Sequence, residues 1–229
     1  MAALVGEFPV MASTSVGKAG GAAIGEKLLA CVAEHGSAAH SYPASTALLK
    51  GPHAARNLSD AVHFLCTLHG RHPGIVDHAA NRCPEPAARA WFAAATQAFA
   101  AERAFLARLA VAAGPVPGTP GSADSEGAVI GQRHAIEMLA QSERSGCALG
   151  AALAVAIDWA RIRSVLDAAA RRFGVDAPAF TLAAPSDLSG LAATASAERA
   201  LLFGAEQIVL QHHGLWELLE ARQQARGDS

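Results

Sequence analysis

Three carboxylates fall where carboxylates are costly. When each helical stretch is turned at about 100° per residue, Glu102 lands near the centre of an apolar arc, in line with Trp91 and Leu109. Asp158 lines up with Cys147, Ala154 and Val165, and Glu198 shares an arc with Leu191, Leu202, Val209 and Trp216. A carboxylate inside an apolar arc must be paired, protonated or bound to a metal. Arg161 follows Asp158 at helical spacing, so an internal Asp158–Arg161 pair is the simplest way to hold that charge. His212 lies at the edge of the Glu198 arc. Glu102, Asp158, Arg161, Glu198 and His212 are therefore the candidate residues of an internal polar cluster that binds a ligand.

Two kinds of chemistry suit such a cluster. Carboxylate oxygens with an imidazole, from His63 or His212, suit iron or manganese inside a helical bundle. The di-iron pattern needs two Glu-x-x-His pairs, however, and the chain offers one Asp-x-x-His (Asp60/His63) and one reversed pair (His134/Glu137). Glu198 and His212 would also stand about 21 Å apart along a straight helix, too far to share one ion. Nucleophile motifs are absent: there is no GxSxG, and His63/Cys66 is a weak pairing. GAVIGQR (127–133) lacks the lysine of a phosphate loop. A non-enzymatic role, binding a small ligand or a partner, therefore comes first and a metal-dependent bundle enzyme second. No catalytic residue or cofactor is assigned.

Other polar residues read as surface. His134, Glu137, Gln141 and Arg144 form one solvated stripe, as do Asp60, His63 and Thr67, while His69 and His72 flank a turn and satisfy backbone groups there. Ser142, Gly146, Gly150 and Ala154 recur at four-residue spacing. Small residues at that spacing admit a second helix at close range, either within the chain or across a homodimer.

The elements that must position these residues are helices. Residues 22–34 have helical spacing with a stop at Gly36, a helix starts near Asn57–Asp60 and closes at Gly70, and a short one covers Ile75–Arg82. Helical patterns then cover 85–113 and 122–141, separated by the Pro/Gly-rich GPVPGTPGS, which reads as an exposed connector. From Cys147 to Ile157 run eleven residues without a polar side chain. One helix over 124–173 would span about 75 Å, whereas a compact chain of this size has a radius of gyration of about 17 Å. SERSG (142–146) is the natural break. The last helical region, 188–224, is expected to bend at Gly204 or Gly214. No period-two alternation is long enough for a strand. The expectation is a single all-α domain over 21–225, a bundle of six to eight helices with its core in 85–222, preceded by a flexible leader over 1–20.

Composition narrows the function further. Hydrophobic residues make up 52% and aromatics only 5% of the 229 residues, so the core must rest on Ala, Leu and Val. Ala favours closely packed helices. A net charge of −2 without a basic block lacks the footprint of nucleic-acid binding. No apolar run reaches the roughly 18 residues of a membrane span. Four separated cysteines and no basic leader point to a reducing, cytoplasmic setting.

The length and all-helical pattern resemble the heme-oxygenase-like and thiaminase-like folds, which host di-iron oxidases and small-molecule hydrolases. The single tyrosine, Tyr42, departs from the second of these. HFLCTLHGRHPG (63–74), GQRHAIEMLAQSERSGCALGAALAVAIDW (131–159) and FGAEQIVLQHHGLWELLEARQQAR (203–226) resemble an uncharacterised helical family of alphaproteobacterial, sphingomonad-type proteins. That resemblance implies a bacterial cytosolic protein and carries no catalytic residue with it.

Overall fold

In the computed structural model the described residues are 15–83, 86–182 and 195–227, and they form an all-α bundle without strands. The helices are α1 (Ser15–His35), α2 (Thr46–Leu49), α3 (Ala54–His69), α4 (Ile75–Arg82), α5 (Pro86–Ala113), α6 (Ser122–Ala140), α7 (Cys147–Phe173) and α8 (Ala195–Ala225), with a 3-10 turn at Tyr42–Ala44. Local signals account for most of the boundaries. Gly146, at φ +98°, and Gly174, at φ +68°, bracket α7 in the left-handed region that favours glycine. The helix breaks before α7 as the length argument requires. No helix among the described residues is long and apolar enough to cross a membrane.

The centre of the bundle is α7. It packs against α1, α3, α4, α5, α6 and α8, and Leu153, Trp159, Ile162, Val165 and Leu166 are inaccessible to solvent. Its closest neighbour is α8. A Cβ on Gly150 would lie 1.8 Å from the Leu201 carbonyl oxygen, and one on Gly204 would lie 2.0 Å from that of Cys147. Two helices meet there backbone to backbone, which only paired glycines permit. The small-residue groove of α7 is thus filled by α8 of the same chain and has no room for a second copy. Gly204 serves this crossing, and α8 is a single helix through both Gly204 and Gly214.

Three other expectations shift. The apolar core runs from Ile24 to Leu219, wider than 85–222, because α1 and α3 are needed to cover α7. Helix α1 begins at Ser15, inside the stretch that reads as a leader; the rest of that leader lies outside the described residues. Asp60 is buried, not on a surface stripe. It accepts from Arg222 Nη2 at 3.0 Å and Arg226 Nη1 at 2.5 Å, and both arginines also bond Thr119 Oγ1 in the connector between α5 and α6. That connector is therefore pinned to α3 and α8.

Candidate functional site

Two successive turns of α7 carry Asp158, Trp159 and Arg163, and two buried polar clusters grow from them. The first joins α1, α7, α8 and α3. Just past the end of α1, Ser37 donates its backbone N–H to Asp158 Oδ1 at 2.8 Å and its hydroxyl to Oδ2 at 2.6 Å. The approach requires Gly36, where a Cβ would sit 2.7 Å from Asp158 Oδ1. His212 Nδ1 reaches Asp158 Oδ2 at 2.7 Å, and His212 Nε2 meets His69 Nε2 at 2.9 Å. Asp158 and His212 are buried at 2% and 0% exposure, while His69 is only partly buried. The His69 ring stands edge-on to Trp159, with centroids 5.3 Å apart.

The hydrogen bonds have a direction. Burial works against an ionised Asp158, but the bonds and charge from His212, with both bonds from Ser37, outweigh it and hold this carboxyl below its usual range. An ionised carboxylate only accepts, so His212 Nδ1 carries a proton. A single further proton lies between the two Nε2 atoms. Burial, reinforced by the charge of His212, pushes the His69 imidazole well below its ordinary value. The neutral arrangement therefore has His69 Nε2–H donating to His212, and His69 Nδ1 keeps a lone pair without a hydrogen-bond partner among the described residues.

The second cluster joins α5 to α7. Glu102 accepts Trp159 Nε1–H at 2.8 Å and Arg163 Nη1–H at 2.5 Å. Arg163 donates from Nε to Asp167 at 2.7 Å and from Nη2 to the Pro178 carbonyl, and it stacks over Phe105. Burial raises the Glu102 carboxyl above its usual range, although Trp159 and Arg163 pull the other way. Each charged group here ends on another protein group.

The first cluster opens onto a cavity of about 300 Å³. His69, the last residue of α3, forms part of its wall, and Arg71 and His72, in the exposed turn that follows, form its mouth. Leu68, Ile75, Val76, Phe99, Ile136 and Val155 supply apolar lining, and Arg103, Arg133 and Glu137 add charge. Arg103 is held by Asp77 at 2.9 Å, and Asp77 in turn accepts the Gly74 N–H at the start of α4. Arg133 Nε is buried with no hydrogen-bond partner; Glu137 Oε1 lies 3.4 Å away.

The family of unknown function DUF6975 matches residues 32–227. The chain belongs to that family. No curated protein and no solved structure matches it. The match covers both polar clusters and every residue of the cavity wall.

Of the residues that the sequence singles out, Asp158 and His212 meet directly, and Glu102 joins them only through the Trp159 ring. Arg161 is not the partner of Asp158: Ser37 and His212 fill that place, and the buried arginine is Arg163. Glu198 stands apart, paired with Lys27 at 2.6 Å near the surface, because the start of α8 lies along α1. With Glu102 committed to Arg163, Glu198 to Lys27, and His63 to the Gly114 carbonyl at 2.7 Å, the carboxylate–imidazole set does not converge. Among the described residues no group of three His, Cys, Asp or Glu side chains is placed to hold a metal ion.

Helical facing does not find His69, Arg163 or the arginine rim. It places Glu137 on a solvated stripe, yet this residue is half-buried on the cavity wall. The one available signal is local: HGRHPG (69–74) puts two histidines and an arginine in a single turn directly after a buried helix.

Proposed function

We propose that the protein binds a small organic anion in the cavity bounded by α3, α4, α5, α6 and α7. The observation that carries this reading is the cavity wall itself, which combines apolar side chains with three arginines. Arg133 and Arg71 share one carboxylate there, Glu137, whose Oε1 lies 3.4 Å from Arg133 Nε and 3.8 Å from Arg71 Nη1. Two guanidiniums sharing one carboxylate leave positive charge unmatched, and an anionic oxygen is the natural acceptor for a guanidinium. Arg71, Arg103 and Arg133 outnumber Glu137 on the wall, even after Asp77 offsets Arg103. The volume matches the small end of ligand pockets and suits a compact molecule with an apolar body and one charged head. Four cysteines spaced far apart along the sequence fit a cytoplasmic setting.

Calorimetric titration with benzoate and with neutral benzamide tests the charge requirement. Benzoate is expected to bind at least about tenfold more tightly, a difference of about 1.4 kcal/mol. The Arg71→Gln/Arg133→Gln variant should erase that preference. Equal affinity for the two probes, or none for either, would overturn the reading.

A further inference from the structure

Resting on the cavity as an anion site, we propose that it is also an acid–base site, in which His69 takes a proton from a hydroxyl-bearing weak acid and hands another to His212. The ligand class is a phenol or enol, bound neutral and ionised in place. Three observations converge on the transfer. His69 and His212 are in contact through their Nε2 atoms at 2.9 Å. The remaining nitrogen of His69, Nδ1, has no hydrogen-bond partner among the described residues, and His69 is one of the residues that line the cavity. Beyond His212 lies a buried carboxylate at 2.7 Å.

The protons balance along this line. The ligand O–H gives its proton to His69 Nδ1, and His69 Nε2 releases its own to His212 Nε2. His69 ends neutral, as the other tautomer, and the positive charge rests on His212 against Asp158. The ligand ends as an oxyanion facing Arg133, Arg103 and Arg71. No oxidant, metal or covalent intermediate takes part.

The surroundings favour that destination for the charge. His69 itself is a poor resting place, because it is packed against Trp159 and shares the cavity wall with three arginines. His72, His78 and Gln141 also line that wall, and Glu137 is its one carboxylate among the described residues. His212, by contrast, is out of reach of solvent and beside an ionised carboxylate that two Ser37 donors hold in place. An Asp–His pair that stabilises an imidazolium without itself accepting the proton is a known electrostatic device in catalysis, here displaced by one imidazole from the ligand. His69 is the group that touches the ligand; His212 and Asp158 act through it.

The experiment uses the full chain with 4-nitrophenol, at about pH 6, within the range where imidazole titrates and below the phenol's own pKa. Uptake is measured by equilibrium dialysis and ionisation by the yellow absorbance of the bound phenolate. Wild type should hold the probe mainly as phenolate. In His69→Gln and in Asp158→Asn the ratio of bound phenolate to bound phenol should fall about tenfold or more, one pKa unit. Because the readout is a ratio, weaker binding alone does not imitate the result. Side-chain ¹⁵N spectra of the wild type supply a measurement that needs no variant: His69 should show a bare Nδ1 before the probe is added, and His212 should become doubly protonated after. Uptake without ionisation, or a protonated Nδ1 on unliganded His69, overturns the inference and leaves the anion site standing. No uptake by the wild type overturns both.

Discussion

Two polar clusters on successive turns of α7 are built from similar parts and end differently. At Glu102 and Arg163 the network closes on itself: both carboxylate oxygens and the three guanidinium nitrogens are bonded to protein groups. At Asp158 and His212 the network runs outward, from Ser37 through two imidazoles to a nitrogen in a cavity wall. Both satisfy the requirement that buried charge be paired. A closed network needs nothing more than the fold. An open one ends on an imidazole residue that lines a space of about 300 Å³, and that difference, not burial, separates a structural pair from a candidate site.

The sharpest way to break the comparison is to open the closed cluster. Arg163→Met would leave Glu102 buried with only the Trp159 donor, a loss of about 3–5 kcal/mol in urea unfolding. Adding Glu102→Leu should recover part of that loss, leaving a deficit of about 1–3 kcal/mol because the buried Trp159 indole N–H then lacks its acceptor. A double variant as unstable as the single one would mean that the pair is not closed. The open cluster should not tolerate the same treatment with function intact.

Gly150→Ala attacks the other cluster alone. Its Cβ would come 1.8 Å from the Leu201 oxygen, so α8 must move off α7, at a cost of about 3 kcal/mol, the upper end of ordinary overpacking. The His212–Asp158 bond crosses that interface, whereas Glu102–Arg163 joins α5 to α7. The expected signature is loss of the downfield His212 Nδ1 proton resonance with the Trp159 indole N–H resonance retained. Loss of both resonances would show that the clusters are not separable.

The two clusters also have opposite pH signs. The depressed imidazole of His69 stays neutral in the fold while an unfolded histidine protonates, so its stabilising contribution is lost as pH falls below 6.5, the ordinary value. The limiting slope is about 1.4 kcal/mol per pH unit for one proton. Glu102 is raised, so its contribution is present below 4.5, its ordinary value, and declines as pH rises through the folded value. Unfolding free energies from pH 7 downward should fall in wild type and flatten in His69→Gln. A slope unchanged by that substitution would remove His69 as its source.

Much of the local architecture is legible in the amino-acid sequence. The short helix Ile75–Arg82 appears with those limits, the break at 142–146 precedes α7, and Gly174 ends that helix at a left-handed residue. These follow from caps, glycine and proline positions, and chain length, all of which act within a few residues. Helical facing also marks Glu102 and Asp158 as buried, because an apolar arc is a property of one helix.

Partners are another matter. Helical spacing pairs Asp158 with Arg161, its neighbour along the chain, yet it binds Ser37 and His212 from other elements. His69 has the sequence setting of a turn residue, and only the packing of α8 beside it supplies His212. Asp60 has the spacing of a surface residue, and Arg222 and Arg226 reach it from the far end of the chain. The sequence alone determines that the chain is helical, where several of its helices stop, and that Glu102 and Asp158 cannot face water; it misplaces Glu198 and Asp60. Only tertiary structure decides which charges close on each other and which end in a cavity. That choice depends on the crossing of α7 and α8 at Gly150 and Gly204, a contact between helices that no single helix's pattern encodes.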